Sequence, residues 1–112
     1  HCPLTSETRH LIDEVHLSMM KPSAAIINTA RGALIDEQAL IAALQNKQIA
    51  KAALDVQEEE PMREDNPLYT MPNVIITPHM GWRGLETRQR LLQLVSANIE
   101  AYMEGTVINR VV

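Results

Sequence analysis

Short apolar runs alternate along this chain with segments whose apolar residues recur at helical spacing, and the alternation predicts its elements. Residues 24–27 (A-A-I-I), 51–56 (K-A-A-L-D-V) and 73–77 (N-V-I-I-T) have strand length, the first bracketed by Pro22 and Gly32. Residues 37–46 place Leu40, Ile41 and Leu44 on one helical face behind Asp36, a good N-cap, with Gln45, Asn46 and Lys47 at the exit. A shorter helix is expected over residues 14–20, capped by Asp13, with Val15, Leu17, Met19 and Met20 as its apolar side and Pro22 ending it. Residues 57–72 hold three prolines and four glutamates with no sustained period, which predicts a long surface loop. The longest helix is expected over residues 85–104, with its Leu92, Val95 and Ile99 stripe packed inward and Gly105 as the residue that ends it. The tail T-V-I-N-R-V-V is expected to be extended. Strand–helix–strand order implies a parallel sheet with right-handed crossovers, hence an α/β fold.

Composition narrows the setting. A length of 112 residues supports one domain, and 46% apolar residues with only 3% aromatics means a core of Leu, Ile, Val, Ala and Met. A net charge of −4 gives no electrostatic reason for nucleic acid or an anionic membrane as partner. The single Cys2 cannot form an intrachain disulfide and suits a reducing compartment. No apolar run approaches the roughly 18 residues of a membrane span. A cytoplasmic setting is expected. The chain starts at His1, without Met and in mid-motif, so it is expected to be a piece of a longer polypeptide.

The candidate chemistry sits where the apolar runs end. Ligands of an open parallel sheet lie outside the carboxyl ends of its strands. Arg31 in N-T-A-R-G follows the first run, beside a glycine that lets backbone come close to a ligand, and its guanidinium suits a small carboxylate. The competing reading is a surface arginine paired with a glutamate. His79 in T-P-H-M-G ends the third run and could pass a proton to a carbonyl oxygen as hydride arrives, or be a hydrogen-bonded structural histidine. Glu60 ends the E-E-E-P stretch: composition favours a solvated acidic patch, and the sharper reading is a carboxylate that holds the imidazole protonated. Asp55 could accept from a cofactor amide or ribose, or close a strand-terminal turn. His1 and Cys2 lack the second closely spaced pair a zinc site needs, so no metal is expected; His10 reads as a loop residue, His16 as a helix-surface residue, and Met19, Met20, Met71, Met80 and Met103 as packing. No G-x-G-x-x-G is present.

Together the segments H-C-P-L-T-S-E-T-R-H-L-I, M-K-P-S-A-A-I-I-N-T-A-R-G-A-L-I-D-E, A-A-L-D-V-Q-E-E-E-P and P-N-V-I-I-T-P-H-M-G-W resemble the C-terminal part of the D-isomer-specific 2-hydroxyacid dehydrogenases. Four ordered motifs at matching spacing cover nearly the whole chain. Trp82 with the following R-G-L-E-T-R-Q-R-L is similar to the glycerate dehydrogenase and hydroxypyruvate reductase branch.

The resemblance implies the second half of a Rossmann-type doubly wound sheet, a partial dinucleotide-binding domain over residues 1–112. It implies reduction of a small 2-keto acid to a D-2-hydroxy acid, or the reverse, with NAD or NADP. By resemblance Arg31 binds substrate, Glu60 assists the histidine, and His79 is the proton donor. Asp55 matches the aspartate near the nicotinamide amide, and Pro3, Thr5, Thr29, Ala30 and the segment from His79 to Gly81 line the cofactor pocket. Gln57 departs from a position often aromatic, and Trp82 from one commonly small. The family's Gly-rich loop, ribose-selecting residue and most of its substrate domain are expected upstream of His1. The chain alone is therefore expected to hold cofactor weakly, to be inactive, and to pair with another copy as a homodimer. The rival expectation is a non-enzymatic binding module of the kind found in the C-terminal-binding transcriptional corepressors.

Overall fold

The computed structural model describes residues 2–111; the reading of His1 lies outside them. The chain divides into two compact units, one through Met80 and the other from Gly81 onward.

The first unit is a parallel three-stranded sheet in the order β1 (Ala25–Asn28), β2 (Lys51–Leu54), β3 (Val74–Ile76). In register, Ile27 lies beside Ala53, and Ala53 beside Ile75. Helix α1 (Glu14–Ser18) precedes β1, and α2 (Glu37–Gln45) connects β1 to β2. Both begin where the sequence says they should. The Asp13 side chain accepts from the His16 N–H, and Asp36 accepts from the Ala39 N–H at 3.0 Å, each satisfying a donor that a helix start leaves open. Leu40, Ile41 and Leu44 of α2 are buried with Leu17, Ala52, Leu54 and Ile49 in one core on one face of the sheet. On the other face Ile27 and Ile75 stand exposed on either side of Ala53.

Three expectations change. Helix α1 ends at Ser18 rather than Met20, because the Met19 and Met20 N–H groups bond to His16 and Leu17 carbonyls in a tightened last turn. Of its apolar side only Leu17 is fully buried, and Val15 and Met19 face solvent. The 57–72 segment is irregular, yet it is more than surface: Met62 and Leu68 reach into the core. A short 3₁₀ turn, Pro67–Tyr69, delivers Leu68, and the Asn66 side chain caps it by accepting from the Leu68 N–H at 3.0 Å. Proline and glutamate content reports polarity but not the two apolar anchors that pin the loop.

The second unit is helix α3 (Leu85–Met103) with a short tail that is irregular over its described residues, through 111; Val112, the last residue of the tail expectation, lies outside them. It ends as predicted. The Gly105 N–H bonds to the Tyr102 carbonyl and the Thr106 N–H to the Ala101 carbonyl, with Gly105 in the left-handed region at φ +73°. The expected inward stripe does not form, since Leu92, Val95 and Ile99 are all exposed. Within this unit one helix has no second layer against which to bury a face. Among the described residues no helix is long and apolar enough to cross a membrane.

Helix α2 closes with the same bond pattern as α3, Lys47 N–H to Leu44 O and Gln48 N–H to Ala43 O, but Lys47 occupies the left-handed position at φ +56°. A side chain there costs roughly 1–2 kcal/mol that glycine avoids, less glycine's greater unfolded-state entropy. Lys47→Gly should therefore stabilise the chain by about 0.5–1 kcal/mol in urea denaturation; a variant less stable than the parent contradicts this account of the cap.

Candidate active site

All three strands deliver their last residues to one edge, and hydrogen bonds tie those ends together. The Asp55 N–H donates to the Asn28 carbonyl and the Thr77 N–H to the Leu54 carbonyl, each at 2.9 Å. Buried Asn28 folds the turn after β1: its amide donates to the Arg31 carbonyl at 2.9 Å and its oxygen accepts from the Ala30 N–H at 3.0 Å. The Asn-led turn holds the backbone of Arg31 in place.

Buried Asp55 organises the turn after β3. Its Oδ1 accepts from the Thr77 hydroxyl and, at 2.9 Å, from the Met80 N–H. His79 lies between those two donors with φ +48°, its N–H bonded to the Thr77 carbonyl at 3.0 Å. Histidine is among the residues that tolerate this left-handed region, and the Asp55 bonds on both sides hold it there.

Gly32 brings the third group in. A Cβ on Gly32 would lie 1.9 Å from the Gln57 carbonyl carbon and oxygen and 2.3 Å from the Glu58 nitrogen. Only glycine lets the 57–60 segment cross so close to the turn that carries Arg31. From that crossing Glu60 turns back, its Oε1 accepting from the Gln57 N–H at 3.0 Å and its Oε2 lying 2.7 Å from His79 Nδ1. Partial burial pushes the Glu60 carboxyl up, but the His79 hydrogen bond, the Gln57 N–H and the charges of His79 and Arg31 outweigh it. Its pKa lies below the usual 4.5.

Arg31, Glu60 and His79 line one cavity of about 300 Å³, together with Leu4, Gly32 and Gln57. Arg31 and Leu4 also line a neighbouring cavity of about 730 Å³ with Pro3, Thr29 and Ala30. The structure therefore gathers the three candidate chemical residues, and beside them three of the candidate cofactor residues. Thr5 stands outside both linings: its hydroxyl accepts from the Glu7 and Thr8 N–H groups within its own turn. Gly81 belongs to the second unit. Among the described residues no group of three or more His, Cys, Asp or Glu side chains could hold a metal ion.

The sequence profile described as D-isomer specific 2-hydroxyacid dehydrogenase, NAD binding domain, matches residues 1–81. The chain belongs to this family. It is 47% identical over 107 residues to a glyoxylate reductase of Aeropyrum pernix, covering 96% of this chain and 32% of that protein. It is 41% identical over 109 residues to a hydroxypyruvate reductase of Blautia hydrogenotrophica, covering 97% and 34%. The NAD-complexed D-isomer specific 2-hydroxyacid dehydrogenase of Lactobacillus delbrueckii ssp. bulgaricus superposes with a TM-score of 0.87 at 33% identity, covering 100% of this chain and 38% of that one. The chain thus spans about a third of the length of the relatives it matches. The parallel sheet with its crossing helix is part of the family's Rossmann-type, doubly wound NAD-binding domain.

Asn28 and Thr77 do as much to shape this edge as the residues singled out from sequence. Asn28 carried a readable signal, since Asn two residues before a turn N–H is a recurrent turn former. Thr77 carried none, because its partner Asp55 lies far away in sequence.

Two outcomes test the geometry. Gly32→Ala should destabilise the chain by about 3 kcal/mol or more, because backbone rather than a pliable side chain occupies the space; a variant with an unchanged unfolding midpoint contradicts the close approach. Glu60 has a folded pKa below its unfolded value, so its contribution is complete above that unfolded value and is lost as pH falls through the folded one. Glu60→Gln should be less stable than the parent near pH 7, and the gap should close as pH falls below the usual carboxylate range in urea titrations; a gap that stays constant on acidification rules the pair out as a source of stability.

Proposed function

We propose that this chain supplies the acid–base and carboxylate-binding residues of a reductase that converts a small 2-keto acid to a D-2-hydroxy acid. The observation that carries the reading is the 2.7 Å contact between His79 Nδ1 and Glu60 Oε2, in a cavity that also holds Arg31. The Glu60 carboxylate on Nδ1 fixes the ring and leaves Nε2 as the atom that delivers the proton. Arg31 presents a planar guanidinium, suited to bidentate binding of a carboxylate or to polarising the keto oxygen. Protonating that oxygen from the imidazolium neutralises the negative charge that builds there as the 2-carbon is reduced.

The donor set fits the nicotinamide end of NAD or NADP: Pro3, Thr29 and Ala30 line the adjacent cavity, and Asp55 places a carboxylate at the same edge. When bound, that cofactor supplies the hydride. Among the described residues no glycine-rich turn is present to cradle its pyrophosphate, so the chain by itself is proposed to bind it weakly. The proposed partner is a second copy of the chain, supported by the exposed Ile27 and Ile75 on the open sheet face, and the proposed setting is the cytoplasm, in keeping with the free Cys2.

The test is a chimera in which this chain replaces the matching third of a glyoxylate reductase relative, assayed with glyoxylate, hydroxypyruvate and pyruvate. Reduction of at least one acid is expected, and His79→Ala should lower kcat by about 10²–10⁴. A folded, cofactor-binding chimera without activity, or a His79→Ala variant at the parent rate, overturns the reading.

A further inference from the structure

The three consecutive glutamates that follow Gln57 meet different surroundings. Glu60 contacts His79, and Glu59 projects into solvent. Glu58 is half-buried and held from four directions. Its Oε1 accepts from Arg9 Nη2 at 2.6 Å and lies 2.9 Å from His10 Nε2. Its Oε2 accepts from the Glu37 N–H at the start of α2 at 3.4 Å, and its own N–H donates to Glu37 Oε2 at 3.3 Å.

That exchange between residues 37 and 58 joins side chain and backbone on both partners. Glu37 is itself fixed, since its Oε1 accepts from the Asn66 amide at 2.7 Å. His10, whose Nδ1 lies 3.8 Å from Asp36 Oδ2, bridges toward the same helix start. The three carboxylates of Asp36, Glu37 and Glu58 meet here the Arg9 guanidinium, the His10 ring and the N–H groups of the first turn. Glu58 thus ties three segments: the turn before α1, the first turn of α2, and the strap that carries Glu60.

We propose that Glu58 is a positioning residue for the Glu60–His79 pair, setting the backbone from which Glu60 reaches the imidazole. This deepens the function proposed above and rests on it. With Gly32 against one side of the strap at Gln57 and the clamp holding Glu58 beside it, two successive residues are immobilised. Glu60 then needs only its Gln57 N–H bond to be aimed. Without the clamp the Gly32 crossing is a single point about which the strap can pivot, and the Glu60 carboxylate leaves His79 for water.

A simple electrostatic role makes the opposite prediction. Removing the Glu58 charge relieves repulsion on Glu60 and should lower its pKa further. Losing the clamp detaches Glu60 from His79 and from the Gln57 N–H, and should raise its pKa toward the ordinary value. The groups facing Glu60 are His79, Arg31 and the Gln57 N–H; those facing Glu58 are Arg9, His10 and Glu37.

The experiment follows the Glu60 carboxyl by ¹³C NMR titration in the 112-residue chain, in the parent and in variants whose fold is checked by amide spectra. Glu58→Ala should raise the Glu60 midpoint toward the ordinary carboxylate value. Glu58→Gln, which removes the charge but keeps an acceptor for Arg9 and His10, should leave it at or below the parent, as should Glu59→Ala, which removes a neighbouring charge outside the clamp. If Glu58→Ala does not fold, Glu37→Ala carries the test: it too removes a negative charge, yet should raise the midpoint. A folded Glu58→Ala or Glu37→Ala with an unchanged or lowered Glu60 midpoint overturns the proposal. Because the titration needs no turnover, a raised midpoint beside an inactive chimera removes the catalytic reading and keeps the clamp. An unchanged midpoint beside an active chimera does the reverse.

Discussion

The backbone of Gln57 and Glu58 crosses Gly32 at a distance no other residue type allows, and the candidate site depends on that crossing. It joins two segments separated by the whole of α2 and β2, the turn that carries Arg31 and the strap that carries Glu60. A single added methyl group would push them apart, because the atoms it would meet are backbone and cannot rotate away. The rest of the site follows once they are close: Glu60 bends back onto the Gln57 N–H and from there meets His79.

The sheet supplies the other half of the arrangement. Parallel pairing sets the last residues of β1, β2 and β3 side by side, so that Asn28, Asp55 and Thr77 form one hydrogen-bonded row across the strand ends. Asn28 and Asp55 also shape the loops that leave this edge. Asn28 folds the Arg31 turn and Asp55 secures the His79 turn. The turns that carry Arg31 and His79 are therefore held by bonds made before any ligand arrives, the preorganisation that the proposed acid–base role would require.

The charged residues around this edge contribute little to stability one at a time, since exposed ion pairs are worth only about 0–1 kcal/mol. Their importance is geometric. Arg9, His10, Asp36, Glu37 and Glu58 hold the strap to α2 through several bonds at once, and each side chain ordered by one partner loses less freedom in meeting the next. Glu59, beside them in sequence, has the solvated role that composition alone assigns to all three glutamates.

Sequence by itself determined the elements and their order, because those rest on local chemistry. Asp13 and Asp36 cap helices, Gly105 ends one, and the apolar runs at 24–27, 51–56 and 73–77 became three strands, each within two residues of expectation. It also singled out Arg31 and His79 as candidates, since strand ends in a parallel sheet are readable from where apolar runs stop. For Glu60 composition favoured a solvated patch, and the family resemblance carried the sharper reading. Only the tertiary structure decided how those residues meet. Gly32 beside Gln57, Thr77 on Asp55, and Arg9 on Glu58 join residues too far apart in sequence for any local pattern to register. The same limit explains the α3 stripe of Leu92, Val95 and Ile99: helical periodicity shows which residues share a face, but whether that face is covered depends on what packs against it.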